Sequence, residues 1–479
     1  MARSHPRRFP ALIVALLWLP GCASLPIKPP VAPSPAPTAG VQTDDARQHA
    51  AYWIARLQAP DALLLDGAAI EARNRRLLAL DPTLQDLATL PAHVDGAKVG
   101  DAIAALSRLP DRPLFDALGQ PVTPPTRRAW QDALALDAIP ATVEVRHGLV
   151  THRADLRTFP TATRVFRQAI DDGIDRFQES ALFPGTPVRV LHPSRDGEWL
   201  FVQSARYSAW MRSDRLAIGE EARVFAHAGH VPALWVTGAR ADTVESTEAP
   251  ALSRVTMDMG TRIAHLPDWP RDQPVNGRLP GRSQVVLLPV RQDDGGLRLA
   301  PALLEPDADV SPAPLPLTPR RLLAQSFKFL GEPYGWGHAD GARDCSGFVS
   351  EIHAAFGMLL PRNTGDQLRS PAIATETLPA DASPATRAAL LASLGPGDLV
   401  HIPGHVMMVI GHEGGQTWVI HDTPAVRMEG TSPGAPRSGV VVTPLEALRT
   451  AEGKAYDALI LGVQRLAAPV ASATASTGH

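Results

Sequence analysis

YGWGHADGARDCSGFVSEIHAAFGMLLPRNTGDQ occupies residues 334–367. Up to Asp344 the segment is rich in glycine and reads as a loop. From Cys345 the spacing turns helical, with Phe348, Val349, Ile352, Ala355 and Phe356 on one face. Cys345 therefore opens a helix. The unpaired N–H groups and the macrodipole at a helix start favour a thiolate, which is the attacking form of cysteine. Asp344 suits the N-cap, a role worth about 1 kcal/mol. Gly347 permits close approach of a substrate or a neighbouring strand. Cys22 and Cys345 are the only cysteines. A lone thiol in an exported chain invites a chemical reading. A buried, inert thiol stays open on these grounds alone.

A thiolate needs a histidine as proton partner, and that histidine needs an orienting group. His405 begins the apolar strand HVMMVIG, and His421 lies in TWVIHDT. Adjacent strands would set the two side by side, near the start of the Cys345 helix. With 16 histidines in the chain, a chance pairing also stays open. His401 reads as a half-buried strand residue and His412 as a turn residue. No metal-ligand spacing, phosphate loop or nucleic-acid motif occurs. The net charge of −3 sets up no strong field toward nucleic acid or anionic lipid.

Outward from this core, 479 residues exceed one hydrophobic core and imply about three or four domains. Residues 318–466 mix helices and strands, with Thr318-Pro319 starting a helix. Residues 306–317 form a Pro-rich linker. Residues 140–219 and 220–305 carry hairpin signals, such as the Asp-Gly turn in PVRVLHPSRDGEWLFVQS, and read as two small β-barrels. ARVFAHAG, at the start of the second, is read in that same β style. Residues 44–139 show helical spacing broken by prolines.

The N-terminus reads as an export signal over 1–21, with Arg3, Arg7 and Arg8 before a short apolar stretch. Leu19-Pro20-Gly21-Cys22 resembles the lipobox of bacterial lipoproteins, which implies lipidation of Cys22. Pro20 is unusual there. Ala23 rather than Asp after the cysteine points to the outer membrane. Residues 22–43 form a Pro-rich tether and 467–479 a disordered tail.

The 334–367 segment, then GDLVHIPGHVMMVIG (397–411) and WVIHDT (418–423), resemble the NlpC/p60 family of cell-wall cysteine peptidases. The resemblance covers nearly all of 318–465. It implies a papain-like α+β domain with Cys345 as nucleophile, His405 as general base and His421 as its orienter. It implies that Tyr334 lies near the oxyanion site. His338 stands where the family has a second glycine. Asp344 and Ser346 would bind the free amine of a stem-peptide L-Ala, and Arg362 and Thr364 would touch substrate. Segments 146–161 and 177–204 resemble the bacterial SH3-like domains that precede the peptidase in one subgroup, after a helical clip. In that subgroup a tyrosine of the first barrel caps the amine pocket. Tyr207 is its counterpart here, though Ala209 replaces the usual glycine. Glu179 would add a second acid.

The resulting expectation is a multidomain lipoprotein: a helical N-terminal region, two small SH3-like β-barrels and a C-terminal α+β NlpC/p60 domain. It would be a cysteine endopeptidase without metal or cofactor, acting as a monomer. It would hydrolyse peptidoglycan stem peptides between γ-D-Glu and a diamino acid. It would sit on the periplasmic face of the outer membrane by its lipid anchor. The rivals are an inactive peptidoglycan-binding lipoprotein, an amidase or acyltransferase on the same fold, and an envelope scaffold.

Overall fold

The computed structural model describes residues 45–170, 173–429 and 437–466. The export signal, Cys22, the tether and the tail lie outside them. Among the described residues no helix is long and apolar enough to cross a membrane.

Alternating apolar residues build three principal antiparallel sheets. The first has seven strands between Arg146 and Gly219, with Gln178–Leu182 at one edge and Leu216–Gly219 at the other. The second has four strands from Ala233–Val236 to Leu297–Leu303, and Val310–Ser311, from the segment read as a linker, joins its edge as the fifth. The third, in the C-terminal part, orders Thr375–Thr377, Gly462–Gln464, Leu399–Ile402, His405–Glu413, Gln416–Val426 and Arg437–Pro444.

One reading changes. The stretch ARVFAHAG is not a strand but part of a helix, Glu221–Ala228. Its apolar residues suit both periods. Val224 and His227, three apart, are the two it buries.

The helix Cys345–Ala354 lies on the third sheet. Phe348, Val349, Ile352 and Phe356 pack against Val406, Met408, Ile410, Trp418 and Ile420. That sheet face alternates with one carrying Met407, Val409 and Val419, which faces a second cluster around Leu390, Leu391 and Leu445. Thr318 caps the helix Pro319–Phe327 by accepting the Arg321 N–H at 3.3 Å. Thr318→Ala should cost about 1 kcal/mol in urea unfolding, with the slope against urea unchanged.

Residues 45–139 have no core of their own. Trp53, Ile70, Leu77 and Leu84 join the Cys345-helix core, where Trp53 packs on Trp418 with ring centroids 5.6 Å apart. Val99, Ile103, Leu114 and Trp130 instead join Phe159, Phe177 and Trp210 in the first β domain. This helical region thus fastens the third sheet at one end and the first sheet at the other.

Candidate active site

Cys345 is the first residue of its helix and is buried. Its N–H precedes the first helical hydrogen bond, so it is free to donate elsewhere. Asp344 caps the helix through Gly347 N–H at 2.8 Å. The preceding loop runs through left-handed backbone at Gly337, His338, Asp340 and Gly341. This turns the chain sharply and folds His338 onto the helix. A Cβ on Gly347 would lie 2.5 Å from the His338 ring, so what needs glycine here is the loop, not a strand.

Strand register supplies the histidines. His405 opens its strand, and His405 Nε2 lies 2.8 Å from His421 Nδ1 on the next one. His421 Nε2 lies 3.2 Å from Thr443 Oγ1. The chain is satisfied if each Nε2–H donates outward, from His405 to His421 and from His421 to Thr443. His405 Nδ1 then carries the free lone pair. The backbone N–H of Val406, next to His405, hydrogen-bonds the Cys345 sulfur. Thr443 was not singled out in the sequence; only the pairing of its strand with the His421 strand reveals it.

The electrostatics keep both partners neutral at rest. Burial, then the charge on Asp344, pushes the Cys345 thiol up to about 12. Burial pushes His405 down to about 4. The helix N-terminus pulls the thiol the other way, but it does not act on a solvated group here.

Asp344 is fully engaged. Its oxygens accept from Gly347 N–H, Ser346 Oγ–H, Gly337 N–H and both terminal nitrogens of Arg362, the closest at 2.8 Å. Burial alone would raise its pKa, but Arg362 and the neighbouring donors outweigh that and hold it well below the usual carboxylate range. Arg362 is buried and also donates to Ser180 Oγ, Ser346 Oγ and the Glu179 carbonyl. It is a tie between the first β domain and the Cys345 loop, with no donor left to reach a substrate carboxylate. His338 buttresses it: Nδ1 accepts from Arg362 at 3.1 Å while Nε2 donates to Glu351 at 2.9 Å. Burial, then Arg362, drives the His338 pKa well below its ordinary value, consistent with that neutral tautomer. Arg362→Met should destabilise the fold by about 3 kcal/mol in urea unfolding, because Asp344 would remain buried without its counter-charge. Arg362→Lys should restore only part, since one ammonium cannot span both oxygens.

The first β domain brings Tyr207 and Glu179 to the same place. The Tyr207 hydroxyl donates to one Glu179 oxygen, and the structure gives the other no hydrogen-bond partner among the described residues. Burial raises the Glu179 pKa against the pull of Tyr207 and Arg362. Tyr334 is half-buried near Cys345, and burial followed by the sulfur's charge raises its pKa. Thr364 begins a short helix, Thr364–Arg369, and makes no side-chain hydrogen bond among the described residues. His401 is buried rather than half-buried and pairs with Gln464 Oε1 at 3.1 Å; His412 bonds the Leu394 carbonyl.

Asp422 was overlooked. It is fully buried on the helix-facing side of the sheet, and neither carboxyl oxygen has a hydrogen-bond partner among the described residues. Burial, then Asp344, pushes its pKa up to about 9. Its charge acts on both Cys345 and Tyr334. No group of three or more metal-ligating side chains converges among the described residues.

Residues 331–433 match the NlpC/P60 family, and residues 164–212 match an SH3 domain of SH3b1 type. Among curated proteins none matches this sequence. The fold is similar to that of an NlpC/P60 endopeptidase from Photobacterium damselae subsp. piscicida, with a TM-score of 0.68 and 18% identity over 87% of this chain and 96% of that one. An NlpC/P60 family protein from Bacillus cereus aligns with 67% of this chain and 100% of its own at 20% identity, with a TM-score of 0.43.

Proposed function

We propose that this chain, which carries an NlpC/P60 domain behind an SH3b-type domain, is a cysteine endopeptidase of peptidoglycan stem peptides. The observation that carries the reading is a helix-start cysteine whose sulfur takes the N–H of Val406, the residue after His405, where the His405–His421–Thr443 chain begins. As a substrate carbonyl approaches, His405 Nδ1 takes the Cys345 proton and the sulfur attacks the carbonyl carbon. Because both groups are neutral at rest, transfer and attack proceed together. The Cys345 N–H and the Tyr334 hydroxyl donate to the developing oxyanion. The protonated His405 gives its proton to the leaving amine. Water, deprotonated by His405, then releases the acyl group.

The substrate we propose has a free N-terminal L-Ala and is cut between γ-D-Glu and the diamino acid. Asp344 is already neutralised by Arg362, so the ammonium would be drawn to Glu179, whose second oxygen faces no protein donor. Tyr207 fixes the first oxygen. An acidic end to the cleft disfavours stems whose L-Ala is still acylated by the glycan. The protein would then act on released peptides, as a monomer. Its anchor would be a lipidated Cys22 in the outer membrane.

Free L-Ala-γ-D-Glu-diamino acid and its N-acetyl derivative, incubated separately and read by mass spectrometry, test the reading. The free tripeptide should be cut at the γ-D-Glu bond. The acetylated one should react at least about 100-fold more slowly, because a site built around a polar partner rejects its absence strongly. Equal rates would remove the amine specificity. An intact free tripeptide would remove the peptidase.

A further inference from the structure

A cavity of about 300 Å³ lies at the junction of both β domains and the Cys345 helix, and neither Cys345, His405, His421, Tyr207 nor Glu179 lines it. That volume is at the lower end for small-molecule sites. Phe183, Met259 and Leu359 give it apolar walls, while Arg206, Arg262 and His227 give it polar ones.

The two arginines have few close partners: the charges of Glu351 and Asp344 reach Arg206, and the Arg262 guanidinium lies over the Trp235 ring, 5.4 Å from its centroid. Arg206 is half-buried and makes one long hydrogen bond, 3.5 Å to the Leu360 carbonyl. Arg262 donates to the Ala228 carbonyl at 2.6 Å and to the His230 carbonyl. Neither forms an ion pair among the described residues. Glu351 is the one carboxylate lining the cavity, and both of its oxygens are taken, by His338 and Arg343. His227 Nδ1 is buried without a partner. A half-buried guanidinium whose donors the protein leaves partly unused is well placed to take an anion that enters the cavity. Burial, then the like charge of Arg362, lowers the Arg206 pKa to about 10 against the pull of Glu351 and Asp344.

We propose that this cavity binds a small organic carboxylate, with the Arg206 guanidinium as its principal anchor and Arg262 as a second positive charge. A guanidinium fork matches a carboxylate in two parallel hydrogen bonds, and the apolar walls suit a short carbon chain rather than a bare inorganic anion. Two sources share this chemistry: the dipeptide left by the proposed cleavage, whose new end is a carboxylate, and an unrelated small organic acid.

Isothermal titration of the full chain carrying Cys345→Ala tests the site without any cleavage, so its failure would leave the peptidase reading standing. The titrants are glutarate, its neutral counterpart glutaramide, L-Ala-γ-D-Glu and inorganic phosphate. Glutarate should bind saturably with Kd below about 1 mM. Glutaramide should not bind. Adding Arg206→Met should weaken glutarate binding by about tenfold or more, and Arg206→Lys by less, because lysine keeps the charge but loses the fork. Melting temperatures of the two variants close to the parent would exclude misfolding as the cause. A matching Arg206 dependence for the dipeptide assigns the ligand to the cleavage product; binding of the dipeptide that ignores Arg206 assigns it to another organic acid. No saturable binding of glutarate, binding unchanged in Arg206→Met, or phosphate binding tighter than glutarate would overturn the proposal.

Discussion

Cys345→Ala should lower kcat/KM for the free tripeptide by about 10⁴-fold or more while leaving the fold intact. Removing a nucleophile leaves only binding and oxyanion stabilisation, and these alone recover a small part of the catalysis. Among the described residues Cys345 is the only cysteine, so none of them offers a substitute thiol. The sulfur is buried among apolar neighbours and its acceptor role is limited to the Val406 N–H. Its loss should therefore cost about 1 kcal/mol of stability, as for a small core truncation. Steady-state kinetics with mass-spectrometric detection, beside a melting curve, separates the two effects. A variant retaining more than about 1% of the wild-type rate would show that Cys345 is not the attacking atom.

Asp422→Asn should stabilise the protein at alkaline pH and do so through linkage. The folded-state pKa of Asp422 is raised to about 9, because burial and Asp344 oppose its charge, with Glu332 and Glu351 adding to this and Arg343 opposing. In the unfolded chain the carboxyl titrates near 4. Between those values the folded state holds a proton that the unfolded state has released. Unfolding therefore becomes easier as pH rises, at about 1.4 kcal/mol per pH unit. The cumulative loss reaches about 7 kcal/mol at pH 9, and below pH 4 it vanishes because both states are protonated. Asparagine has no such charge to release. Urea unfolding from pH 4 to 9 should show the wild-type and variant curves meeting at the acidic end and diverging upward. Parallel curves would mean that Asp422 is not held protonated in the fold.

The sequence exposes the parts of this site that obey a local period. Helical spacing from Cys345 and the alternation in HVMMVIG and WVIHDT are enough to find the helix start and both histidines. The same alternation places Trp418, Ile420 and Asp422 on one face, so an acid among core residues was visible in principle. What it could not show is that the helix start and the 331–335 loop close over that position, because those contacts come from far along the chain. Arg362 illustrates the same limit. In LPRNT it reads as a surface cation for a substrate, yet Ser180 and the Glu179 carbonyl of another domain bind it inside the protein. The helix Glu221–Ala228 escaped for a different reason. Eight residues are too few for apolar spacing to distinguish a helix from a strand.

Arg343, the residue before Asp344, is fully buried and meets Asp258, the last residue of the short strand Thr256–Asp258 in the second β domain, as well as Glu351 of the Cys345 helix and Glu332. Arg153, in the loop just before the strand Ala154–Arg157 of the first sheet, shares Asp258 and bonds the His338 and Ala342 carbonyls. The catalytic segment is therefore a poor candidate for shuffling. Recombination that moved residues 318–466 into a new chain would strand Arg343 without one of its acids and strip the cleft loop of its outer brace. Lineages carrying this loop would have to inherit both β domains with it, as one indivisible cassette.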